Sequence, residues 1–204
     1  MSSSTGQEIE SKFYVRDLKG IENRLITLGA TLTNPRVFEY NLRFDDPQTS
    51  LTRQNKVLRL RKSDDVRMTF KGPGKRNGGS VSRTEIELVV DNFDTAQQFI
   101  ESLGYRVSGV YEKYRAMYAF QGAVVTLDEL PYGHFVEIEG ENPDAITTIA
   151  QTLGLDPEAA IPTSYQGLFE QLRMAKDLPA KNLTFWEFEN LQATPEDLGF
   201  YAAD

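Results

Sequence analysis

The chain contains no cysteine, one tryptophan and one histidine. Without cysteine there is no disulfide framework and no thiolate metal site. The lone histidine, His134, sits in a Gly133-His-Phe135 turn and reads as a surface residue, so a histidine-based triad has no basis. No apolar run approaches the roughly 20 residues that span a bilayer, and Met1 to Gly6 show neither the basic nor the apolar segment of a secretory signal. The chain therefore reads as a cytoplasmic protein that does not enter a membrane. Basic residues are the minority, 22 Lys and Arg against 30 Asp and Glu, for a net charge of −8. That balance argues against broad affinity for nucleic acid and repels polyanions in general. Any anion site must come from locally concentrated Lys and Arg, with metal ions helping.

What is present is first a repeat. The 204 residues, 40% hydrophobic, fit one large domain. Glu8-Ile-Glu10 opens a strand over Glu8–Val15, followed by a helix over Leu18–Leu28 that ends at Gly29. Glu85-Ile-Glu87 opens a second strand, through Val90, with a helix over Thr95–Leu103 and then Gly104. Glu137-Ile-Glu139 opens a third unit, with a helix over Asp144–Leu153 and then Gly154. A glycine closing each helix is the expected stop signal, and Asp94 and Asn142 are candidate N-caps for the second and third helices. The first two copies continue into strand-rich stretches, Ala30–Phe44 and Tyr105–Phe120. Two related halves result, about 7–79 and 80–154, joined by a glycine-rich connector, Gly72–Gly79. Further strands are expected at Val57–Lys62, Arg67–Lys71, Ala123–Glu129 and Phe135–Gly140. Turns fall at Asp64-Asp65 and at Pro131-Tyr-Gly133. About eight strands without βαβ alternation indicate an antiparallel α+β fold.

Charge then follows the strand period. Residues two apart share a face. That puts Glu8, Glu10 and Lys12 together, and likewise Arg59 with Arg61, Thr69 with Lys71, Arg83 with Glu85 and Glu87, Lys113 with Arg115, and Glu137 with Glu139. One such strand alone would be an ordinary wet sheet face. Here the amphipathic helices need the apolar face, and closing an eight-stranded sheet turns the charged face inward, around a lumen wide enough for one small ligand. Seven cations (Lys12, Arg59, Arg61, Lys71, Arg83, Lys113, Arg115) and six carboxylates (Glu8, Glu10, Glu85, Glu87, Glu137, Glu139) cost many kcal/mol to desolvate without compensation. A polyanion with a divalent metal compensates them. Carboxylates at i and i+2 suit Mg²⁺ or Mn²⁺, and Arg and Lys suit phosphoryl oxygens. Tyr111, Tyr114, Tyr118 and Phe135 read as barrel packing.

Seven motifs in order resemble those of the CYTH superfamily, also called triphosphate tunnel metalloenzymes. They are Glu8-x-Glu10-x-Lys12, Leu58-Arg-Leu-Arg61, Thr69-Phe-Lys-Gly-Pro73, Arg83-Thr-Glu-Ile-Glu87, Glu112-Lys-Tyr-Arg115, Leu127-Asp128, and Gly133 through Glu139. Ser164-Tyr165-x-x-Leu168 resembles the closing segment, so the likeness runs over about 6–170. It implies an eight-stranded closed antiparallel tunnel that holds a triphosphate. By position it implies a phosphate cradle of Arg59, Arg61, Lys71, Lys113 and Arg115. The implied metal ligands are Glu8, Glu10, Asp128, Glu137 and Glu139, supported by Glu85 and Glu87. Lys12, with Arg59 and Arg61 the implied catalytic group, resembles a residue that contacts phosphate and in some members activates water. Ile161-Pro-Thr163 departs from the pattern, since many relatives carry a basic residue before the closing Ser-Tyr. The implied activity is metal-dependent hydrolysis of a triphosphate such as tripolyphosphate, thiamine triphosphate or ATP. The alternatives are a CyaB-type (class IV) adenylate cyclase and a non-catalytic polyphosphate or nucleotide sensor. A homodimer is left open. Residues 1–172 are expected to form this domain. Residues 173–204, with Phe185-Trp-Glu-Phe-Glu189 and a helix start at Thr194-Pro-Glu196, form a packing arm or, in the other reading, a lid or plug.

Overall fold

The computed structural model describes residues 4–204; Met1–Ser3, part of the segment tested for a signal, lie outside it. The strands are β1 (Ser4–Val15), β2 (Thr31–Asp45), β3 (Val57–Lys62), β4 (Val66–Lys71), β5 (Lys75–Asn77), β6 (Ser80–Val90), β7 (Arg106–Phe120), β8 (Ala123–Leu130) and β9 (Gly133–Glu139). The helices are α1 (Leu18–Thr27), α2 (Ser50–Arg53), α3 (Phe93–Ser102), α4 (Pro143–Thr152), α5 (Tyr165–Ala175) and α6 (Phe185–Phe188). All strand pairings are antiparallel, in the order β1-β9-β8-β7-β2-β3-β4-β6, and β6 returns to β1, so eight strands form a ring. Exchanging β1 with β6, β2 with β7, β3 with β8 and β4 with β9 gives the same ring back. This is the spatial counterpart of the two repeated halves.

Two expectations need correcting. The connector at 72–79 contains β5, a short ninth strand hung on β6 outside the ring. The second helix is capped by Asn92, whose side chain accepts from the Thr95 amide at 2.8 Å, and not by Asp94, which lies inside the first turn. Asn142 caps the third repeat helix, α4, as expected. Gly29, Gly104 and Gly154 take φ of +81°, +94° and +72°, the left-handed geometry that ends a helix without a Cβ clash.

The alternation along each strand determines where the core lies. Outward-facing Phe13, Val15, Val125, Leu127, Val136 and Ile138 pack under α1 and α4. Leu42, Phe44 and Leu60 pack with Ile100 of α3. The inward phase itself changes character at one end of the ring. Glu8, Glu10 and Lys12 are followed by Tyr14, Asp128 by Leu130, and Glu137 is preceded by Phe135. Tyr14, Leu130 and Phe135 join Leu168, Phe169 and Leu172 of α5 in an apolar cluster that fills that end.

The C-terminal residues complete this cluster through Leu183 and Phe188. Leu183 also exchanges backbone hydrogen bonds with Val110 and Glu112 of β7, and Ala203 donates to the Tyr14 carbonyl of β1. Residues 173–204 thus run along the outside of the ring, and none of them lines the two cavities described below.

Candidate active site

The inward phase of the strands lines a cavity of about 680 Å³. All thirteen charged residues that strand alternation places on the inner face, Glu8, Glu10, Lys12, Arg59, Arg61, Lys71, Arg83, Glu85, Glu87, Lys113, Arg115, Glu137 and Glu139, line it. A second cavity of about 490 Å³ shares Glu10, Lys12, Arg43, Arg83, Ser164 and Gln166 with the first, so the two are joined. Both volumes fall within the range of small-molecule sites, roughly 300–1,000 Å³.

Register explains the ion pairing. Strand partners Glu8 and Arg83, Lys12 and Glu137, Lys71 and Glu85, Glu39 and Lys113, and Arg115 and Asp128 place opposite charges across from each other. The contacts follow: Lys71 Nζ lies 2.7 Å from Glu8 and 3.2 Å from Glu85, Arg83 3.1 Å from both Glu8 and Glu10, and Lys12 3.2 Å from Glu137. Arg59 is held differently. It donates to the Tyr111 hydroxyl at 3.3 Å and the Thr69 hydroxyl at 3.0 Å, and its nearest carboxylate, Glu87, is 3.8 Å away.

Three cross-strand pairs set like charges opposite each other, an arrangement that destabilises a sheet unless something bridges them. Arg61 and Arg67 are bridged from within by Asp65. Glu10 and Glu139 meet across β1 and β9, and Arg43 and Arg59 across β2 and β3, and among the described residues no side chain bridges either pair. Burial, then Glu137 and Glu8 nearby, raises the Glu10 carboxyl above its ordinary range. Glu139 is pushed up to about 7 by desolvation and by Glu8, Glu85 and Glu10. One end of the tunnel therefore calls for a cation and a neighbouring part for an anion.

Among the described residues no three carboxylates form a ready-made metal cage. Glu8 is engaged with Lys71 and Arg83, and Glu137 with Lys12 and Arg115. Glu10 has only Arg83, which it shares with Glu8, and among the described residues Glu139 has no cation within ion-pair distance, so this pair carries the largest unmet demand for a cation. Two carboxylates plus substrate phosphates is the usual way Mg²⁺ is held, so this donor set fits a divalent ion arriving with a phosphate. Asp128 is expected among the metal ligands from the resemblance, and in the structure its carboxylate is taken up by protein donors. It is fully buried and its oxygens accept from Arg115 at 2.7 Å, Lys113 at 3.1 Å and the Tyr165 hydroxyl at 2.7 Å. The Tyr165 ring in turn lies 4.2 Å from the Lys12 ammonium and 5.2 Å from that of Lys113. The Ser164-Tyr165 motif thus ties α5 to the cationic wall.

Sequence reading passed over Glu39 and Arg43, although Glu39, Asn41 and Arg43 carry the same two-residue signal on β2. It also treated Tyr111 as packing only. Glu39 lies 3.2 Å from Arg61 and 3.6 Å from Lys113 and is almost fully buried. Burial alone would raise its carboxyl, but Lys113, Arg115, Arg61 and Arg59 overcome this and hold it at about 2. Because this value lies below that of the unfolded chain, the carboxylate stabilises the fold above about pH 4.5, and the contribution is lost as pH falls toward about 2. At about 1.36 kcal/mol per pKa unit it amounts to roughly 3 kcal/mol. We expect Glu39→Gln to be less stable than wild type by that order at neutral pH in urea unfolding. The gap should narrow as pH is lowered from about 5; a gap independent of pH would contradict the assignment.

The CYTH domain profile matches residues 6–165. A Methanocaldococcus jannaschii protein provisionally named an adenylate cyclase is 25% identical over 134 residues, 65% of this chain and 75% of its own. The structure of a Vibrio parahaemolyticus protein with the same provisional name superposes with a TM-score of 0.72 at 24% identity, covering 81% of this chain and 99% of that one. A Hippeastrum protein, described as a provisional adenylyl cyclase that reveals a dominant triphosphatase activity, superposes with a TM-score of 0.62 at 18% identity, over 80% and 95% of the two chains. With one profile spanning most of the ring and its motifs facing a common lumen, the chain belongs to the CYTH domain family.

Proposed function

We propose that this protein hydrolyses the terminal phosphate of a triphosphate in the presence of Mg²⁺ or Mn²⁺. The observation that supports this most is the inward convergence of seven cations and six carboxylates, joined by Arg43, with two like-charge cross-strand pairs, Glu10–Glu139 and Arg43–Arg59, left without a bridge among the described residues. In the reaction a water oxygen bonds to the terminal phosphorus. The bridging P–O bond breaks, and its electron pair leaves with the diphosphate end. The water proton passes to a phosphate oxygen or to solvent. Phosphoryl transfer of this kind depends on positioning and charge stabilisation. Arg59 and Arg61 neutralise charge growing on the phosphate oxygens, and Lys71, Lys113 and Arg115 complete the cradle. Lys12 is held between the Glu137 carboxylate, the Thr163 carbonyl and the Tyr165 ring, surroundings suited to an ammonium that contacts phosphate. A divalent ion held by Glu10 and Glu139 would supply further neutralisation of phosphate charge.

The names of the Methanocaldococcus and Vibrio relatives favour a second reading, in which a ribose 3′-hydroxyl attacks the α-phosphorus of ATP and releases pyrophosphate. The same tunnel serves both reactions, and the Hippeastrum protein has a dominant triphosphatase activity despite its cyclase name. Purified protein with Mg²⁺ or Mn²⁺ should be given tripolyphosphate, thiamine triphosphate and ATP, with phosphate and cyclic AMP resolved as products. Phosphate release is expected. Cyclic AMP with pyrophosphate would replace this reading with the cyclase, and binding without turnover would replace it with a sensor.

A further inference from the structure

Tyr111 shares the inward phase of β7 with Lys113 and Arg115 and lines the larger cavity, although it is almost fully buried. Its hydroxyl accepts from Arg59 at 3.3 Å. A guanidinium offers no acceptor in return, so the phenolic hydrogen needs another partner. Among the described residues it has none. Even Asn41, directly opposite on β2, keeps a buried Oδ1 without a donor. Two tyrosines of the same packed cluster are committed by contrast: Tyr165 donates to Asp128 at 2.7 Å, and Tyr132 to the Tyr165 carbonyl at 3.1 Å. A buried donor left without an acceptor is costly, so the Tyr111 hydroxyl calls for one in the lumen.

Charged groups surround this hydroxyl. Arg59 reaches it from β3, Lys113 flanks it on β7, and Glu39 and Arg43 face it from β2, with Tyr165 of α5 packed in its cluster. Burial alone would raise the phenol, but Arg59 and Lys113 outweigh both burial and Glu39 and bring it below its ordinary value. The O–H is thereby polarised as a donor. Its place is fixed by this chain's C-terminal residues. β7 pairs with β8 only from Tyr114 onward, and beside Tyr111 the free edge is taken by Leu183. Leu183 donates to the Val110 carbonyl at 3.0 Å and accepts from the Glu112 amide at 2.9 Å.

We propose that Tyr111 is a catalytic residue, whose hydroxyl donates to a phosphate oxygen of the bound triphosphate in a hydrogen bond that strengthens as negative charge builds there in the transition state. This rests on the triphosphate reading and adds a neutral, preorganised donor to a cradle of Arg and Lys side chains.

The test compares wild type with Tyr111→Phe on tripolyphosphate with Mg²⁺, measuring kcat and KM for phosphate release across pH. The variant is expected to lower kcat by about 10–100-fold, the worth of a hydrogen bond to a charged group, with KM changed by less than about threefold. The gap should close as pH is raised toward about 10, because an ionised phenol cannot donate. Lysines common to both proteins cancel from the ratio. A fluorotyrosine in place of Tyr111 keeps the shape and ionises at lower pH, so its kcat should fall off at lower pH than that of wild type. That comparison stands even where Tyr111→Phe misfolds, and coinciding profiles overturn the assignment. A kcat equal to wild type, a loss carried by KM alone, or a gap constant with pH overturns it too, and makes Tyr111 a wall residue that only accepts from Arg59. No phosphate release by wild type overturns the hydrolysis reading, and the role of Tyr111 with it.

Discussion

Arg59→Ala and Glu10→Ala are each expected to lower kcat/KM for triphosphate turnover by about 10²–10³-fold, the cost of removing one preorganised group that stabilises transition-state charge. The fold should survive both changes. Arg59 has hydroxyl partners on Tyr111 and Thr69, and its nearest carboxylate, Glu87, keeps a second cation in Arg67. Its removal strands no acid and relieves the contact with Arg43 on the neighbouring strand. Glu10 shares Arg83 with Glu8, so its loss leaves that guanidinium paired, and it ends the repulsion from Glu139. Stability should therefore stay within about 1 kcal/mol of wild type. Steady-state rates beside urea unfolding curves decide the matter, and full activity in both folded variants would remove these residues from the site.

The reason these two residues can be spared structurally also shows how the site reads from sequence. A strand period of two suffices to place Glu8, Glu10, Lys12 and their counterparts on one face, and a set of helices that need covering turns that face inward. Register, however, is a property of strand pairs. That Glu10 meets Glu139 and Arg43 meets Arg59, while Glu8 meets Arg83, depends on the pairing offsets of β1, β2, β3, β6 and β9, set by turns and bulges far apart in the chain. Glu39 and Arg43 carry the same alternating signal on β2, with Phe38, Tyr40, Leu42 and Phe44 in the opposite phase, but they lie outside the motifs that carry the resemblance. The aromatic filling of one end was likewise out of reach. Tyr132, Phe169 and Phe188 are separated by long stretches of chain and meet only once α5 and the C-terminal residues fold back.

Asp128→Asn is expected to do the opposite of Arg59→Ala: to cost about 3–5 kcal/mol of stability, a fall in Tm of about 6–20 °C for a chain of this size. Asp128 is fully buried and serves three donors, Lys113, Arg115 and Tyr165. Asparagine keeps its shape but removes the negative charge, which leaves the buried Lys113 ammonium with Glu39 at 3.6 Å as its nearest remaining carboxylate. Such a charge, desolvated and weakly paired, accounts for the cost. The double variant Lys113→Met/Asp128→Asn should recover part of the loss, because it removes the stranded cation with its partner, and the shortfall from additivity measures their coupling. A metal-ligand role for Asp128 makes a different prediction. The single variant would then melt like wild type in chelator and differ only when Mg²⁺ or Mn²⁺ is added. Melting curves with and without divalent ion therefore separate an anchor of the cationic wall from a ligand, and the burial of both Asp128 oxygens beneath Arg115 and Tyr165 favours the anchor.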